Sequence, residues 1–284
     1  MRISVHIAAL SIAAWIGACG REPALVRQVE KVGLVNNIQH RLLESVEAEK
    51  SAVLAVTDEE SAEFAARSKR SADEIDPLKA RLAELITADA RRDEVEKLAA
   101  FAARWDELKA IDARLLELAV ANTNLKAARL LAREGSVALD RFITSVDAMM
   151  LAFSDIAIVR SVATAATAVA RIQSLLLVHI PEASDAEMTT LEARIRRLGA
   201  TVDAALQEAV PSVPSTASGA AADGAKAWAE YQRVAAEVIR LSRLNTNVIS
   251  VDVSLHEKRT ATRACLDALG DLRSAIQGGP HATR

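Results

Sequence analysis

His40 and Glu44 stand four residues apart, a spacing that lets two side chains on one helix face share a metal ion. Glu59-Glu60 and Asp73-Glu74 are adjacent carboxylates, the residue type that general acid–base chemistry uses when two are buried together. Asp112, Asn122 and Asn245 interrupt or end apolar helical seams, where a ligand site between helices would place its polar groups. Each has a plainer reading. His40 and Glu44 read as a solvated or capping pair, the carboxylates as caps and charged faces, and the other three as turn or packing features. The chain contains no GxGxxG or phosphate-binding loop, no GxSxG elbow and no HExxH helix. The expectation is a protein without catalysis, metal or cofactor, with Asp112, Asn122 and Asn245 as weak ligand-binding candidates.

The strongest chemical signal is a thiol. MRISVHIAALSIAAWIGACGREP opens with a basic Arg2 and an apolar run from Ile3 to Ile16. A membrane-crossing helix needs about 20 apolar residues, so this run has the length of a secretory core. It ends in Ile16-Gly17-Ala18-Cys19, which resembles the bacterial lipobox. That resemblance implies a signal peptide over residues 1–18 and a diacylglyceryl group on Cys19. Acyl chains would then hold the mature protein to the inner or outer membrane, facing the periplasm or cell surface. An ordinary signal with an incidental cysteine is the alternative. The other cysteine, Cys265, falls in a helical stretch and reads as a small core residue.

Hydrophobic residues make up 51% of the 284, but aromatics only 3%, so small side chains carry much of the core. Ten glycines and six prolines among many helix formers predict an all-α fold of thin, closely spaced helices. The net charge of -3 has both signs interspersed and lacks the basic stripe that nucleic acid requires.

These elements must position the polar groups. A Gly-Arg-Glu-Pro connection leads into a first helix over 24–56. Thr57 to Glu60 forms a capping box for a second helix reaching about Ile86, with Asp76-Pro77 kinking or restarting it. A third helix starts within Thr87–Arg92 and runs to about Ala121. Its seam is Leu98, Phe101, Trp105, Leu108, Leu115 and Leu118. Asp112 fills the missing apolar position. Ile111 is expected to rotate in instead, a polar spot facing Asp112 being the alternative. Asn122-Thr123-Asn124 predicts a helix–helix turn. Beyond it, either one very long helix follows or a break falls near Ser154-Asp155. Residues 148–170 are strongly apolar, but Asp155 and Arg160 within them favour a buried helix junction over a membrane span. Ser184 to Glu187 is a second capping box. Its helix reaches about Val210, a Pro/Ser/Gly-rich loop covers 211–224, and the Trp228 helix, a second Asn-Thr-Asn turn and a last helix to about Gln277 complete the chain.

The chain repeats itself. WDELKAIDARLLELAVANTN from Trp105 and WAEYQRVAAEVIRLSRLNTN from Trp228 align without gaps at an offset of 123. Glu134 and Glu257, and Ala138 and Ala261, continue the match. The repeat predicts two tandem up-down four-helix bundles joined by a long helical connection, one over 19–150 and one over 151–284, with the two tryptophans in equivalent core positions. Chance likeness between alanine-rich amphipathic helices is the alternative.

FAARWDELKAIDARLLELAVANTNLKAARLLAREGSVALDRF, residues 101–142, and the preceding EAEKSAVLAVTDEESAEFAARSKRSADEIDPLKARLAEL resemble the four-helix-bundle sensor domain of bacterial methyl-accepting chemotaxis receptors. The likeness covers about residues 24–150 and is weaker over 155–275. It implies an extracytoplasmic sensor that binds a ligand or a partner. The family flanks this domain with two spanning helices and a cytoplasmic signalling coiled coil, which are not recognised here. The signal is therefore expected to pass through a protein partner, a receptor or kinase or a second copy, with no nucleic acid involved. A structural envelope lipoprotein without a ligand is the alternative.

Overall fold

The computed structural model describes residues 12–278, with side chains from residue 24 onward. The expected signal peptide and the Cys19 thiol lie outside the residues described in full. All regular structure among the described residues is helical, as the composition predicts. The helices are α1 (Ile12–Leu54), α2 (Asp58–Asp73), α3 (Ile75–Asp89), α4 (Arg92–Ala121), α5 (Thr123–Leu130), α6 (Ser136–Ala152), α7 (Ile156–His179), α8 (Asp185–Ala209), α9 (Ser218–Leu244), α10 (Thr246–Val253) and α11 (Arg259–Gln277). A single π turn joins α5 to α6 over Leu131–Gly135, and another joins α10 to α11 over Ser254–Lys258.

Local chemistry sets the boundaries. The Thr57 hydroxyl accepts from the Glu60 N–H at 3.1 Å and the Ser184 hydroxyl from the Glu187 N–H at 3.4 Å, so both expected N-caps form. The helical stretch before Ile75 stops and restarts ahead of Pro77, which then sits in a first turn. Phe153 and Asp155 are extended, and the Asp155 carboxylate caps α7 by accepting from the Ala157 N–H at 2.8 Å. Residues 140–175 are therefore not one continuous helix. Helix α1 extends back through the expected Gly20–Pro23 connection. The expected loop over 211–224 shortens to two 3₁₀ turns, because α9 already begins at Ser218. Gly224 is helical there for a packing reason: a Cβ on it would stand 3.1 Å from Ser145 Cβ of α6.

Helix α7 is long and apolar enough to cross a membrane by length and composition. It also carries a buried stripe of Val162, Val169, Ile172 and Leu176, while Arg160, Thr164, Thr167 and Arg171 are exposed, the two-faced pattern of a bundle helix.

The chain divides into two compact units at places other than residue 150. Unit 1 comprises Met1–Val120 with Asp252–Arg284, and unit 2 comprises Ala121–Val251. The core of unit 1 draws Val35, Ile38 and Leu42 from α1, Ile75, Leu82 and Ile86 from α3, Phe101, Trp105 and Leu108 from α4, and Cys265, Leu269, Leu272 and Ile276 from α11. The core of unit 2 draws Phe142, Val146 and Met149 from α6, Val169, Ile172 and Leu176 from α7, Val202 and Leu206 from α8, and Trp228, Tyr231, Val234 and Val238 from α9. Each repeat therefore supplies its first helices to one unit and its last helical run to the other. This corrects the expected division into residues 19–150 and 151–284, in which each repeat closed on itself.

Candidate functional site

The two repeat tryptophans occupy equivalent, buried positions: Trp105 is 0% exposed and Trp228 5%. A buried indole N–H requires an acceptor. Trp105 Nε1 donates to Asp76 Oδ1 at 2.9 Å, from α3, and Trp228 Nε1 donates to Asp203 Oδ1 at 2.7 Å, from α8. Above each indole the two units differ. In unit 1 the Lys109 ammonium lies 5.6 Å from the Trp105 ring centroid and 3.1 Å from Asp76 Oδ2. Burial works against the Asp76 charge, but hydrogen bonds from Lys109, Lys79 and Trp105 outweigh it and hold the carboxyl below its usual range. In unit 2 a cleft of about 330 Å³ opens beside Trp228, lined among others by Ile172, Arg196, Gly199, Asp203, Tyr231 and Gln232. Its floor is rigid. Trp228 stacks on Tyr231 with ring centroids 6.1 Å apart, and the Tyr231 hydroxyl donates to Gln173 Oε1 at 2.9 Å. Gly199 helps keep the cleft open, since a Cβ there would stand 3.9 Å from the Trp228 ring.

Asp112 does not turn away from the seam of α4. It is buried, Ile111 remains half-exposed, and the Asp112 carboxylate pairs with the buried Lys258 ammonium of the second π turn. The expectation that Ile111 takes its place is corrected; the polar spot exists and is Lys258. Glu49 and Cys265 lie in the same region of unit 1, and burial pushes the Cys265 thiol up to about 12, so it remains protonated at neutral pH.

Asn122 and Asn245 are single left-handed residues, with φ of 50° and 52°, each standing between two consecutive helices. The two Asn-Thr-Asn stretches bond to each other within unit 2. The Thr123 and Thr246 N–H groups each donate to the other's hydroxyl, at 3.0 and 3.2 Å, and Asn124 and Asn247 exchange N–H to Oδ1 bonds at 3.1 Å. Asn247 Nδ2 donates to Asn122 Oδ1 and Asn124 Nδ2 to Asn245 Oδ1, at 2.9 and 2.8 Å. The clasp takes up the side-chain oxygens of both asparagines, and Asn245 Nδ2 donates to Glu182 O at 2.9 Å, while Asn122 Nδ2 is buried without a hydrogen-bond partner among the described residues.

His40 Nε2 lies 3.4 Å from Glu44 Oε1 on an exposed face, and among the described residues no three His, Cys, Asp or Glu side chains gather as a metal site requires. A second polar line went unseen in the sequence. His179 Nδ1 is 2.7 Å from Ser242 Oγ, and its Nε2 is 3.1 Å from Glu192, which also accepts from Arg243 Nε at 2.6 Å. The hydrogen bond from Arg243 holds Glu192 below the usual carboxylate range. The order Ser–His–Glu has the residue types of a hydrolytic triad, but Ser242 and His179 are both 0% exposed, and the hydroxyl also bonds to Val238 O at 2.8 Å. In this conformation no substrate carbonyl can reach it. The available sequence signal was His179 extending the Ile172–Leu176 stripe.

Fold and cleft together describe an all-helical bundle protein with a cleft of small-molecule size beside the tryptophan of its second repeat. Compared with protein-family models, with curated proteins and with solved structures, the chain matches none of them.

Proposed function

We infer that this protein is a non-catalytic binding module, sensor-like in the manner of a chemotaxis-receptor input domain, held outside the cytoplasm by lipid on Cys19. It acts through a ligand and a protein partner. The observation that carries the reading is the asymmetry between two equivalent indoles, one covered by its own lysine and one beside an open cleft. A ligand in that cleft touches α8 and α9 together, and it alters signalling only by binding one packing of them better than another. A screen of small molecules of varied charge, followed by the indole N–H resonances of the full chain, tests the reading. Binding shifts Trp228 and leaves Trp105 still. If no compound moves Trp228 selectively, the ligand-binding role fails and a purely structural lipoprotein gains ground. Replacing Cys19 with Ser tests the anchor separately: the variant should leave the membrane fraction.

A further inference from the structure

Lys109 and Gln232 are the same position of the repeat, 123 residues apart, and Lys79 and Leu206 each stand three residues beyond the carboxylate that receives the indole, Asp76 or Asp203. Unit 1 thus surrounds its indole–carboxylate pair with two ammonium groups, Lys109 and Lys79, each 3.1 Å from Asp76. Unit 2 keeps the indole and the carboxylate and replaces both lysines. Asp203 receives Trp228 Nε1 at 2.7 Å and Gln232 Nε2 at 3.4 Å, both on Oδ1. Its Oδ2 accepts from no described side chain, and it forms no ion pair among the described residues. In Asp76 that same oxygen takes the lysine.

We propose that the unit 2 cleft binds a small primary ammonium ion on a short alkyl chain, in the place that the Lys109 side chain fills in unit 1. The proposal rests on the binding reading above and names its ligand class. The ammonium meets Asp203 Oδ2 in a charge-assisted bond, beside the Trp228 ring. The alkyl chain lies against Ile172, Ile195 and Ile239, in space left by Gly199, Ala235 and Ala236. Arg196 on the rim, 70% exposed and 3.9 Å from Glu192, sets the upper limit on charge: it repels a second ammonium and so disfavours di- and polyamines.

The test titrates the full chain with n-butylammonium, butyrate and 1-butanol, matched in length, and follows the Trp228 and Trp105 indole N–H resonances. The expected result is a saturable shift of Trp228 by butylammonium alone, with an affinity on the order of millimolar for so small a ligand. In Gln232→Lys the new ammonium occupies the cleft, and butylammonium binding weakens about tenfold or more, while an unchanged urea unfolding midpoint reports an intact unit 2. Equal binding by Gln232→Lys and the parent overturns the proposal. If butyrate or butanol shifts Trp228 and butylammonium does not, the ligand class is wrong and the binding reading survives. If none of the three does, while the wider screen finds a ligand, only the amine is lost; if the screen is empty too, both fall.

Discussion

Ala90 holds φ at 51°, where the Cβ of an L-residue crowds the neighbouring carbonyl. Its N–H bonds to Ile86 O at 3.0 Å and closes α3, so the strained turn has a use. Glycine adopts this conformation freely. Ala90→Gly is expected to raise stability by about 1 kcal/mol, read as a higher urea midpoint at unchanged slope. Asn122 and Asn245 hold the same backbone with a better-suited residue, and glycine there loses the clasp. Glu49 makes a different prediction. It is 0% exposed, and its carboxylate is deeply buried with Ser254 and Lys258 nearby. Burial raises its pKa, against the nearby charge of Lys258. A raised folded pKa contributes stability that is present below the unfolded value, ordinarily 4.5, and is lost as pH rises through the folded one. Glu49→Gln should therefore be more stable than the parent at about pH 8, with the gap closing towards about pH 4; urea melts across that interval giving a constant gap would refute this. At this scale the sequence was readable wherever the determinant is local. Thr57 and Ser184 cap helices because their hydroxyls reach N–H groups three residues on. Asp112 was misread because its partner lies 146 residues away.

The π turns and the Asp112–Lys258 pair belong to the scale of elements. Leu131–Gly135 and Ser254–Lys258 differ in number by 123, so both copies insert the same wide turn at the same place. The residues they present differ: Lys258 corresponds to Gly135, and Asp112 to Ala235. If each repeat folded onto itself, Asp112 would meet Gly135 and Lys258 would meet Ala235, leaving two buried charges unpaired. Packing α4 with the run that carries Lys258 avoids that. The expected consequence is that the pair selects helix partners, a role attested for buried ion pairs in other proteins. Asp112→Ala is expected to destabilise unit 1 by about 3–5 kcal/mol, whereas Asp112→Leu with Lys258→Met should come within about 1–2 kcal/mol of the parent. Denaturant melts of both variants decide; equal loss in the two would mean packing, not charge, is at stake. The Asn-Thr-Asn clasp allows a companion measurement. Asn124→Ala and Asn247→Ala each strand a different backbone N–H, that of Asn247 and that of Asn124, so each should cost about 1–3 kcal/mol and the double variant should come within about 0.5 kcal/mol of the sum.

For the whole molecule, the offset of 123 correctly equates Trp105 with Trp228 and Asn122 with Asn245, yet it cannot say which copy a helix packs on. Two copies of one seam present nearly the same apolar stripe, and periodicity is blind to the choice between them. The cleft was half-legible for the same reason: the Lys109-to-Gln232 change stands in the alignment, but that it uncovers an indole is a fact of packing. Because unit 2 is continuous and unit 1 is not, residues 121–251 expressed alone should fold and melt cooperatively, while residues 24–150 should not. Circular dichroism melts of the two fragments test this; a cooperative transition in the second would restore the simple tandem arrangement. The exchange also fixes an order in time. A chain delivered from its N-terminal end, from the ribosome or across a membrane, holds all of unit 2 once residue 251 has emerged, but α1, α3 and α4 must wait for α11. Throughout that wait their seam of Val35, Ile38, Leu82 and Trp105 lacks one wall. The part of the protein that is made first is therefore the last to be finished, and a chain cut short before α11 is left with an uncovered core at its N-terminal end.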